Sequence, residues 1–246
     1  MERWAGKVAV VTGASVGIGA SIVQGLVRHG MIVVGLARRV DKIKELEQNL
    51  EDTPGKLHAV ECDVTNEESV LSAFSWIQET LGTIHVLVNN AGITIESSLT
   101  NGNIDDWRSV FEVNVLGLCL CTREAVRMMR ENGGECVVIN VNSYAAERIP
   151  FIPGFAVYPA SKRAVTGVAQ TLRHELTGTQ IRVTSISPGL VATGLMAAYS
   201  TFSEEAMAAV TALQPEDVAA AAVYILSNPP HVVVQDIVLR PLGESW

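Results

Sequence analysis

The chain has 246 residues, of which 48% are hydrophobic and 18% are charged, so it suits one globular α/β domain and is too apolar for a disordered protein. Its net charge of −8 gives no reason to expect nucleic acid as a partner. No apolar run approaches the roughly 18 to 20 residues that span a bilayer, and the amino terminus lacks a signal-peptide pattern. We therefore expect a cytoplasmic protein without a membrane span.

The four cysteines, Cys62, Cys119, Cys121 and Cys136, are scattered along the chain and lack the spacing of metal ligands. They are predicted to be reduced, buried side chains. No metal site is predicted.

Seven apolar runs of strand length alternate with segments of helical period. The strands are predicted at 8–11, 32–36, 58–61, 85–89, 136–140, 181–187 and 236–239, and the helices at 18–29, 66–81, 105–131, 157–176 and 215–227. Continuous β-branched runs indicate a sheet covered on both faces, and intervening helices indicate parallel crossovers. The pattern predicts an α/β fold, a doubly wound sandwich with about seven parallel strands. Because no linker or repeat interrupts it, residues 1–246 are predicted to form a single domain.

The first predicted strand runs directly into the glycine-rich stretch TGASVGIG at 12–19. Gly13, Gly17 and Gly19 then lead into helical sequence. A strand, a glycine turn and a helix N-terminus in this order bring backbone N–H groups and a positive dipole end to a pyrophosphate. The alternative is a glycine-rich turn that binds no ligand.

The second strand ends in GLARR, where a dinucleotide fold meets the adenosine ribose. An acidic residue here would accept from a free 2′-OH, whereas the guanidinium groups of Arg38 and Arg39 match a 2′-phosphate. Ser15 in the glycine turn adds a donor for the same phosphate. The pattern favours NADP(H), although the two arginines could instead simply begin the charged helix VDKIKELEQNL.

Further motifs follow in order: CDV at 62–64, NNAG at 89–92, FEVNVLG around Asn114, NVNSYA around Ser143, YPASK at 158–162 and SPGLVAT at 187–193. Together with TGASVGIG they resemble the short-chain dehydrogenase/reductase family over nearly the whole chain. The resemblance implies a Rossmann-type fold and a dinucleotide-dependent oxidoreductase. It also implies a homodimer or homotetramer.

The family's catalytic positions fall on Asn114, Ser143, Tyr158 and Lys162. Taking the patterns and the resemblance together, the predicted cofactor contacts are Gly13, Ser15, Val16, Gly17, Ile18, Gly19, Arg38, Arg39, Asp63, Val64, Asn90, Ala91, Gly92, Tyr158, Lys162, Pro188, Gly189, Val191 and Thr193. The sequence departs from the family at Asn142, where a serine often precedes the catalytic serine. This departure affects the local shape of the site and leaves the chemistry intact.

Tyr158 and Lys162 lie four residues apart and therefore share one face of a helix. A tyrosine with a pKa of about 10 is a poor base at neutral pH, and an ammonium one turn away stabilises its phenolate by about 1.4 kcal/mol for each pKa unit moved. Tyr158 is thus predicted as general acid and base. The alternative is an ordinary exposed helix pair. Pro159 is tolerated only near a helix start, so the helix should begin just before Tyr158.

Ser143 is predicted to hydrogen-bond the substrate oxygen, and the alternative is a serine that caps a turn. The resemblance implies that Asn114 holds a water in a proton relay. A buried asparagine with its hydrogen bonds satisfied is compatible with that role.

Apolar residues after Thr193 predict a substrate lid over 193–212 and a mostly apolar pocket. The alternative for this stretch is ordinary helix packing. The predicted substrate contacts are Ser143, Tyr144, Phe151, Phe155, Tyr158, Leu190, Leu195, Met196 and Tyr199.

The stretches MERW, GLARRVDKI and QDIVLRP are similar to a branch of the family that contains insect NADP-dependent farnesol dehydrogenases and a vertebrate steroid-active relative. This similarity implies conversion of a small hydrophobic alcohol to its carbonyl, with farnesol to farnesal as the first choice. A broad carbonyl, steroid or retinal reductase and a non-catalytic dinucleotide sensor remain as alternatives.

Overall fold

The computed structural model describes residues 1–195 and 211–243. Its centre is a parallel sheet of seven strands in the order β3-β2-β1-β4-β5-β6-β7. All seven predicted strands are confirmed, with ends that move by no more than two residues. Their bounds are β1 Val8–Thr12, β2 Ile32–Ala37, β3 Lys56–Glu61, β4 Val86–Asn89, β5 Cys136–Val141, β6 Ile181–Pro188 and β7 Asp236–Leu239.

The described helices are α1 Gly17–Arg28, α2 Val40–Gln48, α3 Glu67–Leu81, α4 Ile104–Phe111, α5 Leu118–Asn132, α6 Tyr158–Glu175 and α7 Pro215–Ser227. Single 3₁₀ turns form at Glu2–Trp4 and Tyr144–Ala146. Helix α6 begins at Tyr158, as Pro159 predicts, because a proline in the first turn removes an N–H that has no intrahelical acceptor. Asn66 caps α3 by accepting from the backbone N–H of Ser69.

Two apolar cores cover the two faces of the sheet. Alternate residues of β1 divide between them: Ala9 and Val11 pack into one core, and Val8 and Val10 into the other. The first core also takes Ile22 of α1 and Val218 of α7, while the second takes side chains of α3, α5 and α6. Burial of both faces explains why the strands read as unbroken apolar runs.

The predicted continuous helix over 105–131 is interrupted. Between α4 and α5 the chain forms a π-helical segment, Glu112–Gly117, whose wider turn carries Asn114. Gly117 lies so close to Val64 that a Cβ there would come within 2.9 Å of the Val64 backbone oxygen. The segment therefore presses against the end of β3 and turns Asn114 into the interior, where its side chain is 1% exposed.

The strand order places a crevice at the carboxyl ends of the central strands. The chain moves outward from β1 to β3 and then crosses back to β4 on the other side of β1. The helices that follow β1 and β4 consequently pack on opposite faces of the sheet, and such switch points are where open α/β sheets bind ligands. In the described ranges 1–195 and 211–243, no helix combines the length and apolarity needed to cross a bilayer.

Candidate active site

A cavity of about 700 Å³ opens at the carboxyl ends of the strands. The loops after β1 to β6 all contribute to its wall. Of the residues predicted for catalysis, cofactor or substrate, those that line it are Gly13, Ser15, Val16, Gly17, Ile18, Arg38, Arg39, Asp63, Val64, Asn90, Ala91, Gly92, Ser143, Tyr144, Phe155, Tyr158, Lys162, Pro188, Gly189, Leu190, Val191, Thr193 and Leu195.

The glycine turn after β1 is held against the loop after β4. The Nδ2 of Asn90 donates to the backbone oxygens of Thr12 and Gly13, at 2.9 and 3.2 Å. Gly13 has a φ of +65°, and Gly19 lies so close to the Gly13 carbonyl and the Asn90 amide that no Cβ fits there. Gly19 therefore supports the turn from behind and does not line the cavity. Gly17 and Ile18, the first residues of α1, line the cavity, so the N-terminus of this helix lies where helix ends bind phosphate groups.

Two arginines stand at the far end of the cavity, each with a different neighbour. A guanidinium nitrogen of Arg39 donates to the Oγ of Ser15 at 3.4 Å. Hydrogen bonds from Thr65 hold the pKa of Asp63 below its ordinary value, and the nearby positive charge of Arg38 lowers it further. Arg38, Arg39 and Ser15 thus form an electropositive corner at the ends of β1 and β2.

Tyr158 and Lys162 lie side by side at the opposite end. Their side chains are buried, and the Lys162 Nζ stands 5.9 Å from the centre of the Tyr158 ring. That nitrogen also donates to the backbone oxygen of Val141 at 3.0 Å. Burial lowers the pKa of Lys162 to about 8, because desolvation disfavours its charged form. Phe155 covers the phenol, with ring centres 5.0 Å apart.

Ser143 lies on the same wall, directly after β5. Its Oγ accepts from the backbone N–H of Ala145 at 3.1 Å, so the serine caps the following 3₁₀ turn. It also lines the cavity, so the turn-capping contact and a contact with substrate are geometrically compatible.

Asn114 lies behind this wall and does not line the cavity. Its Oδ1 accepts from the N–H of Ile93 at 2.8 Å, and its Nδ2 donates to the Ile93 oxygen and to the Oγ of Ser161. A Cβ at Gly92 would lie 3.4 Å from the Asn114 Oδ1 and 3.6 Å from the Lys162 Nζ. The absence of a side chain at Gly92 therefore leaves the asparagine and the lysine on either side of one small space.

The wall near Tyr158 is largely apolar, with one correction to the predicted substrate contacts. Phe151 is 98% exposed and does not line the cavity, whereas Ile152 and Pro150 do. The backbone explains the difference, because Gly154 and Ala156 have φ values of +75° and +31° and turn the loop back toward Tyr158. Met196 and Tyr199, and most of the predicted lid over 193–212, lie outside the described residues.

Several lining residues were given no binding role from the sequence: Leu36, Ala37, Cys62, Ile93, Val113, Val141, Asn142, Ala145, Pro150 and Gly194. Most of them flank a predicted residue, so the carboxyl ends of the predicted strands were the available signal. Tyr144 has a second contact, because the guanidinium carbon of Arg240 lies 4.4 Å from its ring centre. Nothing in the local sequence around Arg240 predicts this contact.

Comparisons with known proteins agree with this geometry. Residues 7–204 match the family model described as short chain dehydrogenase. A farnesol dehydrogenase of Aedes aegypti is 42% identical over 252 residues, covering 100% of both chains. Dehydrogenase/reductase SDR family member 11 of Gallus gallus is 44% identical, covering 98% of both. The alcohol dehydrogenase of Thermococcus sibiricus, solved with 5-hydroxy-NADP, superposes with a TM-score of 0.86 at 27% identity, covering 98% of both. The chain therefore belongs to the short-chain dehydrogenase/reductase family of oxidoreductases.

Proposed function

We propose that the protein is an NADP-dependent alcohol dehydrogenase and carbonyl reductase for hydrophobic substrates, with farnesol and farnesal as the preferred pair. One observation carries the proposal. A single cavity joins an arginine corner, Arg38 and Arg39, to a buried tyrosine–lysine pair, Tyr158 and Lys162, within a mainly apolar wall. The first end suits a phosphorylated adenosine, and the second suits proton exchange with an alcohol.

The residues present fit a nicotinamide dinucleotide. Gly13 allows the turn to pack against the loop after β4, because a Cβ there would come within 2.9 Å of Asn90 and Ala91, and Gly17 and Ile18 place the N-terminus of α1 at the cavity, where a pyrophosphate would bind. Arg38 and Arg39 would bind the 2′-phosphate by charge-assisted hydrogen bonds, with Ser15 adding a donor. When bound, the nicotinamide supplies or accepts the hydride.

The chain's own side chains then handle the proton and the substrate oxygen. The Tyr158 hydroxyl would donate its proton to that oxygen during reduction and take it back during oxidation. The Lys162 ammonium stabilises the phenolate left behind, and Ser143 donates a hydrogen bond to the oxygen as charge develops on it. Asn114 would hold the Ile93 loop in place and support a water that returns protons to Lys162.

The substrate end favours an apolar ligand. Phe155, Ile152 and Leu190 line it, Tyr144 adds an aromatic face, and Leu195 packs near Phe155 and Tyr158. Burial of such surface contributes roughly 25 cal/mol for each Å² removed from water, so a long isoprenoid chain would bind tightly here. The farnesol dehydrogenase of Aedes aegypti, which is similar over its full length, supports farnesol as the first choice.

We further propose that the enzyme works in the cytoplasm as a homodimer or homotetramer. Light scattering of the purified protein would measure its assembly state directly. A monomer by that measurement would contradict this part of the proposal.

An initial-rate panel tests the function. The purified protein should oxidise farnesol with NADP at a kcat/KM at least tenfold above that with NAD, and above that for retinol or hydroxysteroids. Higher rates with steroids or retinal would favour a broad carbonyl reductase. If NADPH binds tightly and no substrate of the panel turns over, the protein is a dinucleotide sensor and the proposal fails.

A further inference from the structure

Three consecutive residues at the carboxyl end of β5 each make a contact that shapes the site. The Val141 oxygen accepts from the Lys162 Nζ, and the Ser143 Oγ accepts from the N–H of Ala145. Between them, the Nδ2 of Asn142 donates to the Oγ1 of Thr166 at 3.0 Å. Val141 and Asn142 thus attach to two positions of α6 that lie one turn apart.

Those positions continue a stripe along α6. Tyr158, Lys162 and Thr166 are spaced four residues apart, so all three lie on one face of the helix, toward the end of β5. The Thr166 Oγ1 also lies 3.5 Å from the backbone oxygen of Lys162. The Thr166 hydroxyl therefore contacts both Asn142 and the helical turn that carries Lys162.

Asn142 is a buried polar residue whose side chain is only partly hydrogen-bonded. It is 3% exposed, it lines the cavity, and its Oδ1 has no hydrogen-bond partner among the described residues. Leaving a buried carbonyl oxygen unpaired is unfavourable, and the hydrogen bond from the Nδ2 to Thr166 offsets part of that cost. A serine at this position is one bond shorter and its hydroxyl would not reach Thr166 from the same backbone.

We propose that Asn142 and Thr166 form a pair of positioning residues that fix the rotation of α6 against β5. The pair sets the placement of the Lys162 ammonium relative to the Tyr158 phenol, and so sets the pKa at which that phenol exchanges its proton. This inference rests on the proposed function, because it concerns the same proton transfer.

The variant Thr166→Val tests the pair, because it replaces the hydroxyl by a methyl group of similar size. We expect kcat to fall fivefold to thirtyfold, on the order of one lost hydrogen bond, and the apparent pKa in the kcat/KM profile to rise by at least about half a unit. Thr166→Ser keeps the hydroxyl and should retain the wild-type profile. Asn142→Ser should behave like Thr166→Val, and the double variant should be no worse than either single variant.

Thr171→Val is the matched control, since Thr171 is exposed on the same helix and should leave rate and profile unchanged. The proposal is overturned if Thr166→Val lowers the melting temperature while kcat and the pH profile stay at wild-type values. It is also overturned if the losses of the two single variants simply add.

A separate measurement distinguishes this failure from failure of the proposed function. Ultraviolet difference absorbance follows the ionisation of Tyr158 without turnover, with Tyr158→Phe as the blank. If the wild type turns over no substrate, a higher Tyr158 pKa in Thr166→Val still supports the positioning role. An unchanged titration rejects it.

Discussion

The ammonium of Lys162 and the ring of Tyr158 share one buried turn at the start of α6, with 5.9 Å between the nitrogen and the ring centre. Burial of this ammonium affects the stability of the whole protein. Burial lowers the pKa of Lys162 from 10.5 to about 8, so the folded state binds fewer protons than the unfolded state between those two pH values. The protonated lysine therefore destabilises the fold at neutral pH, by roughly 3 kcal/mol.

We expect Lys162→Met to stabilise the protein at pH 7 in the absence of cofactor. Loss of the hydrogen bond to Val141 offsets part of the gain, on the order of 1 kcal/mol. The free energy of unfolding of the wild type should rise relative to the variant as pH increases from about 8 toward 10.5, because the folded state has then lost the proton that the unfolded state still binds. Urea unfolding at several pH values measures this. Lys44→Met on the exposed face of α2 is the control, and a pH-independent difference would contradict the prediction.

Replacing Tyr158 by Phe should abolish most of the activity without loss of the fold. Under the proposed function the phenol exchanges a proton with the substrate, and such groups contribute about 10² to 10⁴ in rate. We expect kcat to fall by that factor while the dissociation constant for NADPH, measured by fluorescence, changes less than about threefold. Tyr224→Phe, at an exposed site on α7, should leave both values unchanged. Full turnover in Tyr158→Phe would remove the proposed acid and base.

Neutralising the arginine corner should change cofactor preference. Each charge-assisted hydrogen bond is worth about 1.5 to 3 kcal/mol, so Arg38→Gln and Arg39→Gln should each raise KM for NADP by about 10- to 100-fold. KM for NAD should change little, because NAD lacks the 2′-phosphate. Arg28→Gln, on the exposed end of α1, controls for loss of net charge. An equal rise in KM for NADP and for NAD would mean that the arginines do not bind the 2′-phosphate.

The stacking of Arg240 on Tyr144 should matter for substrate alone. Removing the cation with Arg240→Met loosens the aromatic wall, and an exposed cation–π contact is worth about 0.5 to 1 kcal/mol. We expect KM for farnesol to rise about twofold to fivefold with KM for NADP unchanged, and Arg240→Lys to recover part of the loss. A change in KM for NADP without one for farnesol would contradict this assignment.

The sheet and most of the site were predictable because their signals are local. A run of β-branched residues indicates a buried strand. The residues that follow it lie at the carboxyl end of that strand, where open α/β sheets bind ligands. Arg38 and Arg39, for example, were singled out from their position after β2, and both line the cavity.

Other features depend on contacts between distant segments. The π segment around Asn114 has the same residue spacing as a helix, and its Gly117 packs closely against Val64, which is far away in sequence. Phe151 and Ile152 are both apolar, and which one faces the cavity depends on the left-handed backbone at Gly154 and Ala156. Neither the π-helical segment nor the orientation of Phe151 and Ile152 produces a periodic pattern in the sequence.

The arginine corner and the tyrosine–lysine wall come from different parts of the chain. The arginine corner is complete by residue 39, at the ends of β1 and β2, whereas the tyrosine–lysine wall begins only after β4. Under the proposed function, substitutions at the arginine corner would alter cofactor preference, and substitutions in the wall near Tyr158 would alter substrate preference. The two preferences would then depend on separate segments of the chain and could be changed by separate substitutions.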